Sequence, residues 1–208
     1  MPKNVLQEKI IRYLVIFGIT GLAIYTAAWL VLGSLDPTHT PTQDAVSNLS
    51  AIGAPYAPFM TFIIIVLALS LVAFAIGLHR GLPSGVSAGP TALVVAAIGY
   101  VGIAFTPLDS ANLEDPGTLH LVWASVTFFG LMLAPILTLP KLHRDSVWRS
   151  FRGASIVATV LAFVISLLVM QPALVAYQGL FQRIALTVPF IWMWGASIRL
   201  LKTKQLRQ

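Results

Sequence analysis

Six apolar stretches, each about as long as a membrane is thick, decide what this chain can fold into. A spanning helix needs about 20 mostly apolar residues, and Tyr13–Gly33, Ala57–Leu78, Pro90–Thr106, Thr118–Leu139, Ala154–Met170 and Gly179–Leu201 meet that length within a few residues. Only 10% of the 208 residues are charged and 57% are hydrophobic, whereas a soluble domain carries about 25% charged residues. That leaves too few charges to coat a soluble surface. The fold class implied is all-α: a polytopic bundle of six transmembrane helices forming one transmembrane domain over residues 1–208. The basic stretch before Tyr13 resembles the start of a signal peptide. Its apolar run is too long, however, and no small-residue cleavage site stands out before Pro37, so a retained first helix is expected.

Loop charge sets the orientation, because Lys and Arg gather on the cytoplasmic side of short loops. Lys3, Lys9, Arg12, Arg80, Lys141, Arg144, Arg149, Arg152, Arg199, Lys202, Lys204 and Arg207 fall on one side, twelve of the thirteen basic residues. Asp36, Asp44, Asp109, Glu114 and Asp115 fall on the other, with Arg183 the single base there. Both termini are therefore expected in the cytoplasm, and the protein in the cytoplasmic membrane. The net charge of +6 arises from this asymmetry and from clusters beside apolar runs, so it does not imply nucleic acid as a partner. The basic 140–152 loop with Trp148 suits an interfacial segment against anionic lipid, and His143 within it reads as a solvated side chain. The chain has no cysteine, which excludes disulfides, thiolate metal sites and cysteine nucleophiles.

The longest outward connection, residues 34–56, is more than a linker. It opens with the turn-rich Asp36-Pro-Thr-His-Thr-Pro-Thr, and then Ala45, Val46, Leu49 and Ile52 fall at helical spacing. Asp44 or Thr42 is available as an N-cap and Gly53 as a stop. The spacing predicts a short amphipathic helix covering the bundle mouth.

Ionisable residues at membrane depth are costly and mark either a pairing or a function. Asp109 ends the third span, His120 begins the fourth and Arg183 lies near the start of the sixth, at a depth shared with Asp44, Ser47 and Ser50. These residues are the candidate ligand-binding set: Asp109, His120, Arg183, Asp44 and Ser47. Read catalytically, His120 is a general base or metal ligand, Asp109 orients it or ligates, Ser47 or Ser50 positions water or substrate, and Arg183 holds an anionic headgroup. A catalytic zinc usually has three protein ligands, and the other outward histidine, His39, lies in a Thr/Pro stretch. The bland alternative is an Asp109–Arg183 ion pair between helices, with His120 bonded to Ser47 or a backbone carbonyl. Gly77, Gly99 and Gly102 read as close-packing positions, Pro135 and Pro189 as kinks, and Trp29, Trp123, Trp192 and Trp194 as anchors or packing. His79 beside Arg80 reads as a capping or snorkelling residue.

The stretch Asp44-Ala-Val-Ser-Asn-Leu-Ser-Ala-Ile-Gly-Ala-Pro-Tyr56-Ala-Pro-Phe-Met60, the Phe105-Thr-Pro-Leu-Asp109 end of the third span, His120 and Gly179-Leu-Phe-Gln-Arg183 together resemble the DUF998 family of six-helix membrane proteins. The resemblance implies architecture rather than activity. Gln182 stands where the family's pattern leads us to expect an acid before the arginine. A looser similarity is to membrane hydrolases of the alkaline ceramidase and adiponectin-receptor type, which place Ser, Asp and His around a zinc. Those proteins have more helices and more metal-bound histidines, so zinc at His120 and Asp109 stands only as an alternative.

Three functional readings suit such a chain, with membrane lipids or other membrane proteins as partners. The first is a polar outward pocket that binds a lipid or similar apolar ligand. The second is a metal-dependent hydrolase of a lipid amide or ester, and the third is a structural subunit of a larger membrane complex. Transport is not favoured, because no charge lies near the middle of a span.

Overall fold

The computed structural model describes residues 3–82, 88–109, 111, 117–142 and 146–203. Glu114, Asp115, His143, Arg144, Lys204 and Arg207, which the loop-charge pattern assigns to one side or the other, lie outside the described residues. Six long helices carry the chain: α1 (Lys3–Leu35), α2 (Ala57–Gly81), α3 (Ala88–Phe105), α4 (Thr118–Leu142), α5 (Arg152–Val169) and α6 (Gln178–Thr203). Each contains an apolar segment long enough to cross a membrane. The expected spans lie inside these helices, except that Thr106 and Met170 fall one residue past the ends of α3 and α5. Most helices run on beyond the expected spans into their flanks, since a helix does not stop where hydrophobicity does. No strand occurs among the described residues.

Consecutive helices pack side by side, and α6 turns back against α1, α2 and α4, so the six close into a ring. Lipid tails are as apolar as the helices, so association depends on close approach of backbones at small residues. A side chain at Gly99 or Gly102 of α3 would collide with Thr127 or Trp123 of α4, and one at Gly77 of α2 would reach within 2.9 Å of Val15 on α1. The glycines are packing positions, as expected. Tyr25 of α1 sits at the centre, edge-on to Tyr100 of α3 and Phe190 of α6 at 5.8 and 6.2 Å between ring centres. Pro135 lies inside α4 and Pro189 inside α6.

Trp148 of the 140–152 loop has its side chain inside the protein: it is buried, 1% exposed, and packs edge-on against Phe151. One expectation needs correction, since residues 34–56 do not show the expected amphipathic helix. Val46–Ser50 makes one 3-10 turn, flanked by extended backbone at Ala45 and Ala51, with no side-chain cap from Asp44. Val46 and Leu49 are buried as the spacing implies, but Ile52 is 61% exposed because its backbone is used elsewhere. Its N–H donates to the Leu108 carbonyl at 2.7 Å, joining this segment to the turn after α3. Gly53, at φ 89°, supplies the left-handed residue that lets the chain leave this pairing and enter α2.

Candidate functional site

The 36–56 segment lies across one end of the ring and is held there mainly by the start of α6. Arg183 is buried, and its Nη1 donates to the carbonyls of Pro41 (2.6 Å), Asp44 (2.7 Å) and, one turn back, Gly179 (3.0 Å). Its Nη2 meets His39 Nε2 at 2.9 Å, and the guanidinium lies 5.4 Å from the centre of the Trp29 ring. The first amides of α6 are satisfied by the same segment, Gly179 N–H by the Gln43 carbonyl and Leu180 N–H by that of Thr42. A helix start leaves such donors without internal partners. Gly179 has to be glycine for this contact, since a Cβ there would run into the Asp44 and Pro41 carbonyls.

Guanidinium only donates, so His39 Nε2 must accept and the ring is neutral with its proton on Nδ1. Burial is the main cause holding the His39 pKa below the usual histidine value, followed by the Arg183 charge; Asp44 and Asp36 pull the other way. The Asp44 carboxylate lies 3.9 Å from Nδ1 and accepts the Thr40 amide. Asp36 folds back on Thr38, accepting from its hydroxyl at 2.7 Å and its amide at 2.9 Å. Those bonds hold its carboxyl below the ordinary aspartate range.

Beneath the segment lies a small chamber of about 40 Å³, lined among others by Tyr25, Ser47, Tyr100, His120, Thr127 and Gln182. Five of the six helices contribute to its wall, together with Val46 and Ser47 of the covering segment. His120 is 6% exposed, and its Nδ1 lies 2.8 Å from the Thr106 carbonyl. A carbonyl only accepts, so Nδ1 carries the proton and a neutral ring keeps Nε2 as its acceptor. Gln182 Oε1 accepts the Val46 amide at 2.7 Å, so the neutral residue found in place of an acid binds backbone rather than a cation. Thr127 Oγ1 and Arg183 Nε are buried with no protein hydrogen-bond partner among the described residues, and the buried Tyr100 hydroxyl has only that of Tyr25 beside it. Such groups are rare in a folded protein and each needs an explanation.

The residues singled out from sequence are divided among three places. His120 and Ser47 share the chamber. Arg183 and Asp44 belong to the attachment of the cover, Asp44 through its carbonyl. Asp109 is exposed, and its carboxylate accepts the Ala111 amide at 2.9 Å. No ion pair joins Asp109 to Arg183 among the described residues. The Ser50 hydroxyl donates to the Ser47 carbonyl at 2.9 Å. In the Phe105–Asp109 stretch it is the backbone that ties elements together, through the Thr106 carbonyl to His120 and the Leu108 carbonyl to Ile52. Among the described residues no three His, Asp or Glu side chains gather, which is short of the donor set usual for catalytic zinc.

Sequence reasoning sets His39 aside and passes over Tyr25, Tyr100 and Thr127. One signal is present: His120, Ala124 and Thr127 repeat at i, i+4 and i+7, which places both polar residues on a single face of α4.

Comparison with curated proteins and with solved structures finds no match. The model of a family described as protein of unknown function, DUF998, matches residues 19–199, from within α1 to near the end of α6. With its six membrane-length helices and a match over most of its length, this chain belongs to the DUF998 family.

Proposed function

We propose that this protein binds the polar end of a lipid, or of a similar largely apolar molecule, in the chamber under the 36–56 segment. It would do so in the cytoplasmic membrane, with the chamber end facing outward, as the distribution of basic residues favours. The observation that carries the reading is the buried Thr127 hydroxyl without a protein partner, in a chamber that also holds His120 and is lined by Tyr25 and Tyr100. Leaving a hydroxyl unpaired in an apolar interior costs about 1–3 kcal/mol, and a ligand oxygen would relieve that cost. Imidazole, hydroxyl and amide groups with no full charge suit a neutral hydroxyl, ester or amide better than a phosphate. Ile64, Ile103, Phe128 and Leu186 add an apolar wall for the hydrocarbon attached to that polar end. A volume of about 40 Å³ accommodates little more than one water, so the ligand enters only if the cover lifts. Arg183 and Asp44 then govern access, while Ser47 and His120 make contact.

Mass spectrometry of lipids retained by the purified protein tests this. A lipid class enriched over the surrounding membrane is expected, with retention reduced about five- to tenfold in Thr127→Val, the equivalent of one hydrogen bond. Retained lipid that mirrors the membrane and ignores this substitution would sink the reading.

A hydrolytic second reading draws on one observation. His120, oriented through Nδ1, has Nε2 available as a base in the chamber that Ser47 also lines. Release of fatty acid from ester or amide lipids, lost in His120→Ala, would favour it over binding alone.

A further inference from the structure

The attachment of the cover depends on a bond that only one protonation state of His39 can make. Arg183 is always charged and donates only. Its contact with His39 Nε2 at 2.9 Å therefore needs a lone pair on that nitrogen. Protonation would replace the lone pair by a hydrogen and set two cations against each other. The His39 side chain is only 3% exposed, so water would screen that repulsion poorly.

We propose that His39 and Arg183 form a proton-sensitive latch: the 36–56 segment stays shut over the chamber while His39 is neutral and is released when His39 takes up a proton. The groups facing His39 are few. From α6 there is Arg183; from α1 the neighbour is Gly33, whose Cβ position would lie 3.1 Å from the ring. Its own segment contributes the Asp44 carboxylate at 3.9 Å and the charge of Asp36. The two acids temper the repulsion but do not restore the acceptor. Release would undo more than one bond, because Arg183 also holds Pro41 and Asp44, and their neighbours Thr42 and Gln43 satisfy the start of α6. Val46 and Ser47, which roof the chamber, come directly after them in the chain.

The closed form binds the proton more weakly than the open form, in which His39 regains its ordinary value of about 6.5. Closure is therefore complete above that pH. It weakens as pH falls below it, by about tenfold per unit until the lower closed-form value is reached. The latch does not depend on what the chamber binds.

Hydrogen exchange of the full chain in lipid nanodiscs, at about pH 7.5 and about pH 5 on either side of the ordinary histidine value, tests it. Peptides covering 41–50 and 178–183 are compared between wild type and His39→Gln, whose amide oxygen accepts from Arg183 and does not titrate. In acid the wild type is expected to lose up to about thirtyfold in protection relative to His39→Gln, and His39→Lys to be unprotected at both pH values. Equal protection of wild type and His39→Gln at both pH values would overturn the latch. Should His39→Gln fail to fold, the wild type alone decides. Protection of these peptides must then fall in acid relative to peptides from α2, and an unchanged ratio overturns the proposal.

Discussion

Arg183 and Arg199 lie sixteen residues apart on α6, about 24 Å along its axis, and begin with the same equipment. Each guanidinium lies over an aromatic ring, Trp29 at 5.4 Å and Phe151 at 5.1 Å. Arg183 is buried and spends its donors on three carbonyls and a histidine. Arg199 is half-buried and donates to the Ser150 hydroxyl at 2.9 Å. Burial, not residue type, makes one of them the organiser of the 36–56 segment. Away from water a guanidinium must find its partners in the protein, and here those partners are the backbone of the cover.

Removing each cation breaks or sharpens the comparison. Arg183→Ala should lose on the order of 2–3 kcal/mol, since it removes the charged donor shared by the Pro41 and Asp44 carbonyls and His39. Unfolding monitored by circular dichroism in detergent reads this, and a loss as small as that at Arg199 would mean the cover is held by something else. Gly179→Ala attacks the same junction from the backbone side. Its methyl would enter the space of the Asp44 and Pro41 carbonyls, so a loss of about 1–3 kcal/mol is expected. Arg199→Ala should cost less than about 1 kcal/mol, the range of exposed cation–π and polar contacts. Gly153→Ala, where a Cβ meets nothing within 4 Å, should be neutral or slightly stabilising by the same measurement.

The same contrast explains what could be read from sequence. The six helices were legible because length and hydropathy alone decide whether a segment can span, and no partner needs to be known. Arg183 was legible as an unusual charge, but its partners were not. Carbonyls occur at every residue, so nothing in the sequence distinguishes Pro41 or Asp44 as acceptors 142 and 139 positions away. Expecting an acid to pair with it put Asp109 in that role, whereas the Asp109 carboxylate is satisfied locally by Ala111. The amphipathic spacing at 45–52 did identify two buried side chains. It misjudged the backbone, because the Ile52 amide is taken by Leu108 from another part of the chain. Tyr100 and Thr127 were hidden differently: inside apolar runs, an aromatic ring or a small hydroxyl reads as packing until it is seen to line a chamber.

The junction between residues 41–44 and 179–183 bears on how the protein is made. Chains leave the ribosome N-terminus first, and their helices enter the membrane in that order. The cover comes straight after α1 and is synthesised well before α6, yet every bond that Arg183 and the start of α6 give it waits for that helix. For most of biogenesis the loop has no anchor at this junction. Insertion of α6 is therefore also the step that anchors the cover.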